Sequence, residues 1–408
     1  MVAPPGPLAG ILVADCSTVL AGPYCTMLLA DLGADVVKVE PPTGSSARTV
    51  GPFVCDIPGP NRSLNFWYHN TNKRSVVLDF EHDDADRVRL RELILAADIV
   101  IEDRPPGALS ALGLDHGSLG ADRAGLIFCS ITPFGQDGPW ASFRSSDMVG
   151  LALGGPMNMN GYDDEDAPGA PPIRGHGDQG YKTTCHFAVM GILAALLHRD
   201  LAGEGQHVDC SMHEALNSTT EVGLPYWLYK RENVIRQTTR HAAARKTEPW
   251  RYPAGDGKDV LVYGVGRDNA SWKSIKEWFQ ADGFGRQFDE PRFDDPRNRQ
   301  PARGSTEAAE ILAEVGRFFA AHTAEEIYRG GQERGQAWGV IRSPDETLAD
   351  PHWHDRGFFV PATGEGLEGE ALMPGAPYVL SATPWELRRP APKLGEHTAE
   401  VLAEAGIE

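Results

Sequence analysis

Residues 71–79 read TNKRSVVLD and place one amide and two cations, Asn72, Lys73 and Arg74, directly before a short apolar run. Two comparable segments flank this one: residues 20–40 (LAGPYCTMLLADLGADVVKVE) precede it, and residues 97–107 (ADIVIEDRPPG) follow it. In each segment, small or polar residues stand next to a strand-like run. An open α/β sheet offers such groups to a phosphate-bearing ligand at the ends of its strands. The three segments therefore predict an α/β fold with a ligand site at one edge of its sheet.

Short apolar runs alternate with helical patterns through the first half of the chain. Strands are expected at residues 11–15, 35–39, 75–79, 99–102, 126–131 and 206–211, and helices at residues 24–32, 83–97 and 183–199. Continuous apolar strands between helices are typical of a parallel sheet that is covered on both faces. The helix at 183–199 is apolar nearly all round, a pattern that predicts burial.

The length of 408 residues predicts two or three domains rather than one compact core. We expect the N-terminal part of a large α/β domain at residues 1–225 and a small α+β domain with its linkers at 226–330. Residues 331–408 are expected to return to the large domain. Extended linkers are expected near 205–240 and 325–355, and the stretch 133–180, rich in Gly, Pro, Asn and Asp, predicts a long functional loop.

The composition excludes several classes of protein. The net charge of −19 argues against a nucleic-acid binder or a binder of anionic membranes, since both need a cationic face. It leaves room for an anionic ligand whose contacting cations are locally concentrated. The six cysteines form no CxxC pair, which argues against a zinc ribbon or a thioredoxin-like site. Most of them stand in apolar contexts that are typical of buried thiols in a reducing cytosol, so we expect a cytoplasmic protein. No secretory signal, membrane-spanning helix or metal site is expected.

Asp178 is the candidate nucleophile, within the segment GHGDQG at residues 175–180. Its neighbours are small enough for a substrate to approach, and the predicted helix that follows turns its positive dipole end toward the carboxylate. That environment keeps a carboxylate ionised, as a nucleophile must be. The alternative is a purely structural role, in which the Asp178 side chain caps the backbone N–H groups of the helix.

The order of these segments, together with LGEHT at residues 394–398, resembles the family III CoA-transferases, and the likeness runs from about Leu8 to the C-terminal part of the chain. This group includes formyl-CoA transferase, carnitine CoA-transferase and the α-methylacyl-CoA racemases. The resemblance implies a large Rossmann-like domain built from both ends of the chain, a small central α+β domain and an interlocked homodimer. It also implies CoA thioesters and free carboxylic acids as substrates, without a metal or other cofactor.

The resemblance also assigns roles to single residues. Asp178 matches the aspartate that accepts the acyl group. The positions that match CoA-contacting segments are Val19, Leu20, Thr71, Asn72, Lys73, Arg74, Glu102, Asp103, Arg104 and Arg144. For Lys73 and Arg74, the alternative is that they are exposed cations flanking a strand.

The chain departs from the family pattern at three places. Residues 109–112 (LSAL) stand where some members carry a CoA-contacting arginine, and residues 245–250 (RKTEPW) lack the glycine run of some members' lids. Ser146 stands where the racemases have a histidine. Because serine has no suitable pKa for proton transfer, this departure favours a transferase over a racemase. The alternative for Ser146 is a loop hydroxyl that makes local hydrogen bonds.

The sequence thus predicts an enzyme that moves CoA from an acyl-CoA donor to a free acid through a thioester on Asp178. An α-methylacyl-CoA racemase and a catalytically silent acyl-CoA-binding protein remain as alternatives. The acyl group is not specified by the sequence. Aromatic residues in segments that could face the site favour a bulky or aromatic acyl group, although they are equally suited to a core: Trp67, Tyr68, Trp140, Phe143, Tyr226 and Trp227.

Overall fold

The structure is a computed structural model that describes residues 6–18, 20–266, 268–299, 305–367 and 371–407. The chain forms two compact units. The first unit comprises Met1–Pro156, Gly175–Thr219 and Pro351–Glu408, and the second comprises Met157–Arg174 and Thr220–Asp350. The predicted boundaries differ from this division, because residues 157–174 belong to the second unit and the chain returns to the first unit at residue 351 rather than 331.

A six-stranded parallel sheet forms the centre of the first unit. Its strands are β1 (Leu12–Asp15), β2 (Asp35–Glu40), β3 (Lys73–Val77), β4 (Ile99–Glu102), β5 (Ile127–Thr132) and β6 (His207–Ser211). The strand order is β3-β2-β1-β4-β5-β6, and every neighbouring pair is parallel. The order reverses between β1 and β4, and open α/β sheets bind ligands outside the carboxyl ends of their strands at such a switch point. The predicted α/β class is therefore confirmed.

Helices cover both faces of this sheet. The helices in the first half of the chain are α1 (Ala21–Asp31), α2 (Leu64–His69), α3 (Asp84–Ala96), α4 (His116–Leu119), α5 (Asp147–Leu153), α6 (Pro156–Met159) and α7 (Gln179–Ala202). Alternate strand residues point to opposite faces. Val13, Val36 and Ile99 therefore pack with α1 and α7, whereas Val37 and Val100 pack on the other face together with α3. Two short helices, α5 and α6, lie within the stretch that the sequence predicts as one long loop.

The helix α7 is partly buried in the single chain, whereas the sequence predicts burial. Cys185, Ala188 and Ile192 pack in the core, while the opposite face exposes Leu197 at 63% and Leu201 at 82% of their surfaces. By length and apolar composition alone, α7 passes a test for a membrane span. One such helix is weak evidence, because core helices of soluble proteins pass the same test, and one face of α7 packs on the sheet.

Helices also occupy both segments that were predicted to be extended linkers. After β6 come α8 (Met212–Ser218) and α9 (Gly223–Lys230). The second unit continues with β7 (Arg251–Pro253), β8 (Asp259–Val262), α10 (Asn269–Ala281), α11 (Thr306–Ala320), α12 (Ala324–Glu333), β9 (Trp338–Val340) and α13 (Pro344–Leu348). Its three strands form an antiparallel sheet in the order β7-β8-β9. Aromatic residues such as Trp272, Phe279, Phe318 and Trp338 fill its core.

The C-terminal part of the chain returns to the first unit through α14 (Pro351–Asp355), β10 (Phe359–Ala362), β11 (Ala371–Pro374) and α15 (Thr398–Glu404). The strands β10 and β11 pair with each other in antiparallel orientation. The segment before α15 is tied to β3, because the backbone N–H of His397 donates to the carbonyl oxygen of Ser75 at 3.0 Å. The return segment thus lies beside residues 71–79.

Candidate active site

Asp178 is the N-cap residue of α7, and its backbone is left-handed, with φ 54° and ψ 48°. Only a small fraction of residues other than glycine adopt this conformation, and such residues gather at functional sites. A capping residue normally has extended backbone angles and accepts a hydrogen bond from the second or third N–H of its helix. The side chain of Asp178 makes no capping hydrogen bond. The structure therefore contradicts the alternative in which the Asp178 side chain caps α7.

Asp147 caps α7 instead. Its carboxylate oxygen Oδ1 accepts hydrogen bonds from the backbone N–H groups of Gly180, at 2.7 Å, and of Tyr181, at 3.2 Å. Asp147 is 4% exposed and is the first residue of α5. Gly180 is needed for this contact, because a Cβ atom there would stand 2.9 Å from the same carboxylate oxygen. The sequence pattern predicts no role for Asp147.

Several polar rings lie near this end of α7. The hydroxyl of Tyr24 lies 3.3 Å from Nε2 of His186, and the ammonium of Lys182 lies 5.7 Å from the centre of the Tyr24 ring. His69 packs edge-on against Tyr24. Burial lowers the pKa of His69 to about 4, and the charge of Lys182 acts in the same direction while that of Asp178 opposes it. His69 is therefore neutral at pH 7 and cannot serve as a cation for a carboxylate.

A mainly apolar cavity of about 530 Å³ opens between α1, α7 and the C-terminal return segment. Its lining includes the hydroxyl groups of Tyr24, Tyr68, Thr71 and Tyr378 and the imidazole of His186. Thr71 also lines a second cavity of about 390 Å³, together with Trp67. Two of the aromatic residues named above, Trp67 and Tyr68, thus border cavities, and the buried Thr71 lies in the wall of both.

Lys73 does not have the position that a phosphate contact requires. Its ammonium is fully buried and donates to Asp15 Oδ2 (3.4 Å), Pro23 O (2.8 Å), Thr26 Oγ1 (2.8 Å) and Asn70 Oδ1 (2.9 Å). Burial lowers the pKa of Lys73 to about 8, and the charge of Asp15 opposes that shift. Both the phosphate contact and the exposed-cation alternative are corrected here, because Lys73 is an internal cation that crosslinks β3 to β1 and α1.

Arg74 and Asn72 hold the C-terminal part of the chain. The Arg74 guanidinium lies 2.5 Å from Asp35 and 2.6 Å from Glu404 of α15. Asn72 has φ 62°, and its side-chain oxygen accepts from the backbone N–H of Arg388 at 2.7 Å. Both side chains are thus engaged within the protein, and their predicted contacts with CoA stay a prediction.

The turn after β4 lies at the switch point of the sheet. Asp103 Oδ1 accepts hydrogen bonds from the backbone N–H of Thr18, at 2.6 Å, and from its hydroxyl, at 3.0 Å, while Oδ2 accepts from the N–H of Gly22 at 3.3 Å. This carboxylate therefore occupies the start of α1, where many nucleotide-binding sheets hold a phosphate. Leu20 lies in the same connection, directly before α1. Val19 lies outside the described residues.

Arg104 and Glu102 flank Asp103 in this turn. Arg104 forms an ion pair with Glu81 and stacks over the ring of Phe80 at 4.9 Å. Glu102 is buried, and its Oε2 accepts from the backbone N–H of Arg104 at 2.7 Å. Burial raises the pKa of Glu102 to about 7. The structure thus brings Leu20, Asp103 and Arg104 together at the carboxyl ends of β1 and β4.

Arg144 and Ser146 belong to the segment between β5 and α5. Arg144 is exposed. The Ser146 hydroxyl accepts a hydrogen bond from the backbone N–H of Val149 at 3.4 Å and so caps α5. Ser146 therefore makes a local hydrogen bond, as the alternative to a catalytic role predicts.

Comparison with known proteins identifies the family. Residues 8–398 match the description of CoA-transferase family III. The chain belongs to the family III CoA-transferases. It is 34% identical over 387 residues to the succinyl-CoA:(R)-benzylsuccinate CoA-transferase subunit BbsE of Thauera aromatica, covering 94% of this chain and 91% of the relative. It is 33% identical over 404 residues to succinate–glutarate CoA-transferase of Agrobacterium fabrum, covering 98% and 95%.

The fold of this CoA-transferase is also similar to that of a solved family member. A CaiB/BaiF family protein from Brucella suis superposes with a TM-score of 0.81 at 27% identity, covering 98% of this chain and 100% of that one. The predicted family and the prediction of a CoA-transferase are confirmed. Among the described residues of this transferase, no group of three or more histidine, cysteine, aspartate or glutamate residues is arranged to hold a metal ion.

Proposed function

We propose that this CoA-transferase works through a covalent thioester on Asp178. The single observation that carries the proposal is the geometry of this residue: a left-handed backbone at the start of α7, with the capping role taken over by Asp147. A carboxylate at a helix N-terminus is stabilised as an anion by roughly 0.3–2 kcal/mol, which favours its ionised, nucleophilic form. The glycines at 175 and 177 leave room for a thioester.

The proposed reaction has four steps and needs neither ATP nor a redox partner. The Asp178 carboxylate attacks the carbonyl carbon of the donor thioester, and CoA thiolate leaves. The thiolate then attacks the Asp178 carbonyl of the mixed anhydride, which expels the donor acid and leaves an aspartyl-CoA thioester. The acceptor carboxylate attacks this thioester and again releases the thiolate, which attacks the acceptor acyl carbonyl and restores Asp178. The thioester energy is conserved throughout. We propose no cofactor other than CoA as substrate.

We propose dicarboxylic acids as donor and acceptor. The names of the relatives above include succinate, benzylsuccinate and glutarate, and a further relative at 31% identity is a succinyl-CoA:mesaconate CoA-transferase of Haloarcula marismortui. An aryl-substituted acid belongs in the first panel of acceptors. Trp140 and Phe143 stack at 6.2 Å and 17° in the segment before Ser146, and both rings are exposed.

We propose that the nucleotide part of CoA is bound at the switch point of the sheet. The proposed contacts there are Val19, Leu20 and Arg104; Thr71, in the wall of the cavity beside α1, and the exposed Arg144 are further proposed CoA contacts. Asn72, Lys73, Arg74 and Glu102, which are buried, and the half-buried Asp103 would support the CoA-contacting segments from within the protein. Arg104 would exchange its ion pair with Glu81 for a phosphate, which an arginine can bind with two parallel hydrogen bonds.

We propose an interlocked homodimer with a Rossmann-like large domain, located in the cytoplasm. The exposed face of α7 supports a second copy as the partner. Phe187, Met190, Leu197 and Leu201 recur at helical spacing on that face and are exposed in the single chain. Contiguous apolar surfaces of this kind mark interaction sites.

The test of the proposed function is acyl exchange between two isotopically labelled partners. Purified protein is incubated with succinyl-CoA and a panel of labelled free acids, and formation of labelled acyl-CoA is followed. Transfer by the wild type and its loss in both Asp178→Ala and Asp178→Asn supports the proposal. Exchange of an α-proton of a 2-methylacyl-CoA with solvent, without any acceptor acid, would instead support the racemase. CoA binding without either reaction would support a silent binding protein.

A further inference from the structure

We propose that Asp147 is a positioning residue that keeps the Asp178 carboxylate off its own helix, an inference that rests on the proposed role of Asp178. The second and third residues of α7 are Gly180 and Tyr181, and their N–H groups are the usual partners of an N-cap side chain. Both donate to Asp147 Oδ1, at 2.7 and 3.2 Å. The carboxylate that caps α7 thus comes from another helix, while Asp178, at the N-cap position, is not the capping side chain.

Without Asp147, an aspartate at the N-cap position would have a strong reason to move. Asp and Asn are among the preferred N-cap residues, and they cap with backbone angles in the extended region. Asp178 has φ 54° instead, a conformation that costs energy in a residue with a Cβ atom. Rotation of Asp178 to the extended region would relieve this strain and satisfy two N–H groups at once. Its carboxylate would then be bound to the helix and turned away from a thioester.

Asp147 is held firmly enough for this task. It is the first residue of α5, and α5 packs against both α7 and α8. Only 4% of the Asp147 surface is exposed. On the opposite side, Gly180 lies so close that a Cβ atom would stand 2.9 Å from Oδ1 and 3.4 Å from Leu216. The contact between α5 and the start of α7 is therefore fixed by packing as well as by hydrogen bonds.

Two substitutions at position 147 separate a role of Asp147 in capping α7 from a role in the chemistry. Asparagine at position 147 retains a side-chain oxygen that accepts the same two hydrogen bonds, but it has no charge and no pKa for proton transfer. Asp147→Asn is therefore expected to keep transfer within about threefold of the wild type. Asp147→Ala leaves the two N–H groups to Asp178, and kcat is expected to fall by about 30-fold. KM for the acyl-CoA donor should change little in either variant, because neither substitution removes a side chain that is proposed to contact CoA.

The matched control is Ser146→Ala. It removes the neighbouring cap, on α5, without leaving an N–H of α7 unpaired. Its thermal stability should fall about as much as that of Asp147→Ala, while its kcat stays near the wild-type value. An equal loss of kcat in Ser146→Ala and Asp147→Ala would reduce the role of Asp147 to general stability and overturn the proposal. So would an Asp147→Asn variant as inactive as Asp147→Ala, because that result assigns Asp147 a charge-dependent step.

A crystal structure of Asp147→Ala is the direct readout. The proposal expects Asp178 with negative φ and its carboxylate within hydrogen-bond distance of the N–H groups of Gly180 and Tyr181. An unchanged left-handed Asp178 in this variant would overturn it. Where Asp147→Ala fails to fold, Asp147→Ser provides the second test, because a hydroxyl too short to reach both N–H groups should give an intermediate kcat. Failure of the proposed function is distinguishable, since an inactive wild type leaves the structural test of the cap unaffected.

Discussion

Lys73 Nζ lies 3.4 Å from Asp15 Oδ2, and both side chains are fully buried. A second buried ammonium, that of Lys38, lies 3.5 Å from the other oxygen of the same carboxylate. One buried carboxylate thus faces two buried cations. Removing one partner of such a pair leaves an uncompensated charge and commonly costs about 3–5 kcal/mol, so the effect of a substitution depends on whether Asp15 still has a cation beside it.

This arrangement predicts that two substitutions lower the free energy of unfolding by different amounts. Asp15→Asn should destabilise the protein by about 3–5 kcal/mol or prevent folding, because Lys38 and Lys73 would then repel each other without a counter-ion. Lys73→Met should be milder and should leave the affinity for CoA within about twofold. Urea unfolding and isothermal titration with CoA check both. A Lys73→Met variant that folds but loses CoA affinity would restore the phosphate contact that the sequence suggests.

Arg104 is the cation on which the proposed nucleotide site depends most. Arg104→Ala should weaken CoA binding by about 1.5–3 kcal/mol, the range for hydrogen bonds to charged groups, and the loss should shrink as salt rises. Glu81→Gln is the matched control, since it removes the ion-pair partner of Arg104 but keeps the guanidinium. This variant should bind CoA as well as the wild type or better. Equal CoA affinities of Arg104→Ala and the wild type would contradict the placement.

The buried carboxyl of Glu102 predicts a dependence of stability on pH. Its folded pKa is about 7, above the ordinary value of 4.5. Between these values the folded state binds more protons than the unfolded one, so the free energy of unfolding falls as pH rises from about 5 to 7 and levels off above the folded pKa. The contribution is on the order of 1–3 kcal/mol. Glu102→Gln should flatten this part of the stability profile, measured by urea unfolding at pH 5 to 8. An unchanged slope would show that Glu102 is ionised in the folded protein.

The exposed face of α7 predicts the site of subunit contact. Leu197→Asp should prevent a stable homodimer, because a charge would replace an apolar side chain at the proposed interface. Val88→Asp on α3 is the matched control, since Val88 is similarly exposed, at 56%, but lies on the other side of the sheet. Light scattering after size-exclusion chromatography measures the mass of both. If both variants formed dimers of equal stability, the exposed face of α7 would not be part of the subunit interface. Rapid exchange of subunits between tagged and untagged wild type would contradict interlocking.

The strands were predictable from the sequence because their apolar runs are local. Ile99–Glu102 and the end of the sheet at Ser211 lie where the pattern predicts them. The role of Lys73 was not predictable, since its partners Asp15 and Thr26 are 58 and 47 residues away and local patterns treat a lysine as exposed. The capping role of Asp147 was not predictable for the same reason, because Gly180, whose N–H group donates to Asp147, lies 33 residues further along the chain. The pair Ser146-Asp147 before an apolar turn indicates the start of α5, but it does not indicate that Asp147 also caps α7.

The central claim is that Asp178 forms a covalent acyl or CoA adduct, and trapping tests it most directly. The protein is incubated with succinyl-CoA without acceptor, treated with hydroxylamine and digested with trypsin. Cleavage after Arg174 and Lys182 gives the peptide GHGDQGYK, in which Asp178 is the one side-chain carboxylate, so a hydroxamate on it needs no further assignment. We expect the hydroxamate on this peptide in the wild type and its absence without donor. A hydroxamate on any other peptide, or full transfer activity of Asp178→Ala, would contradict the account.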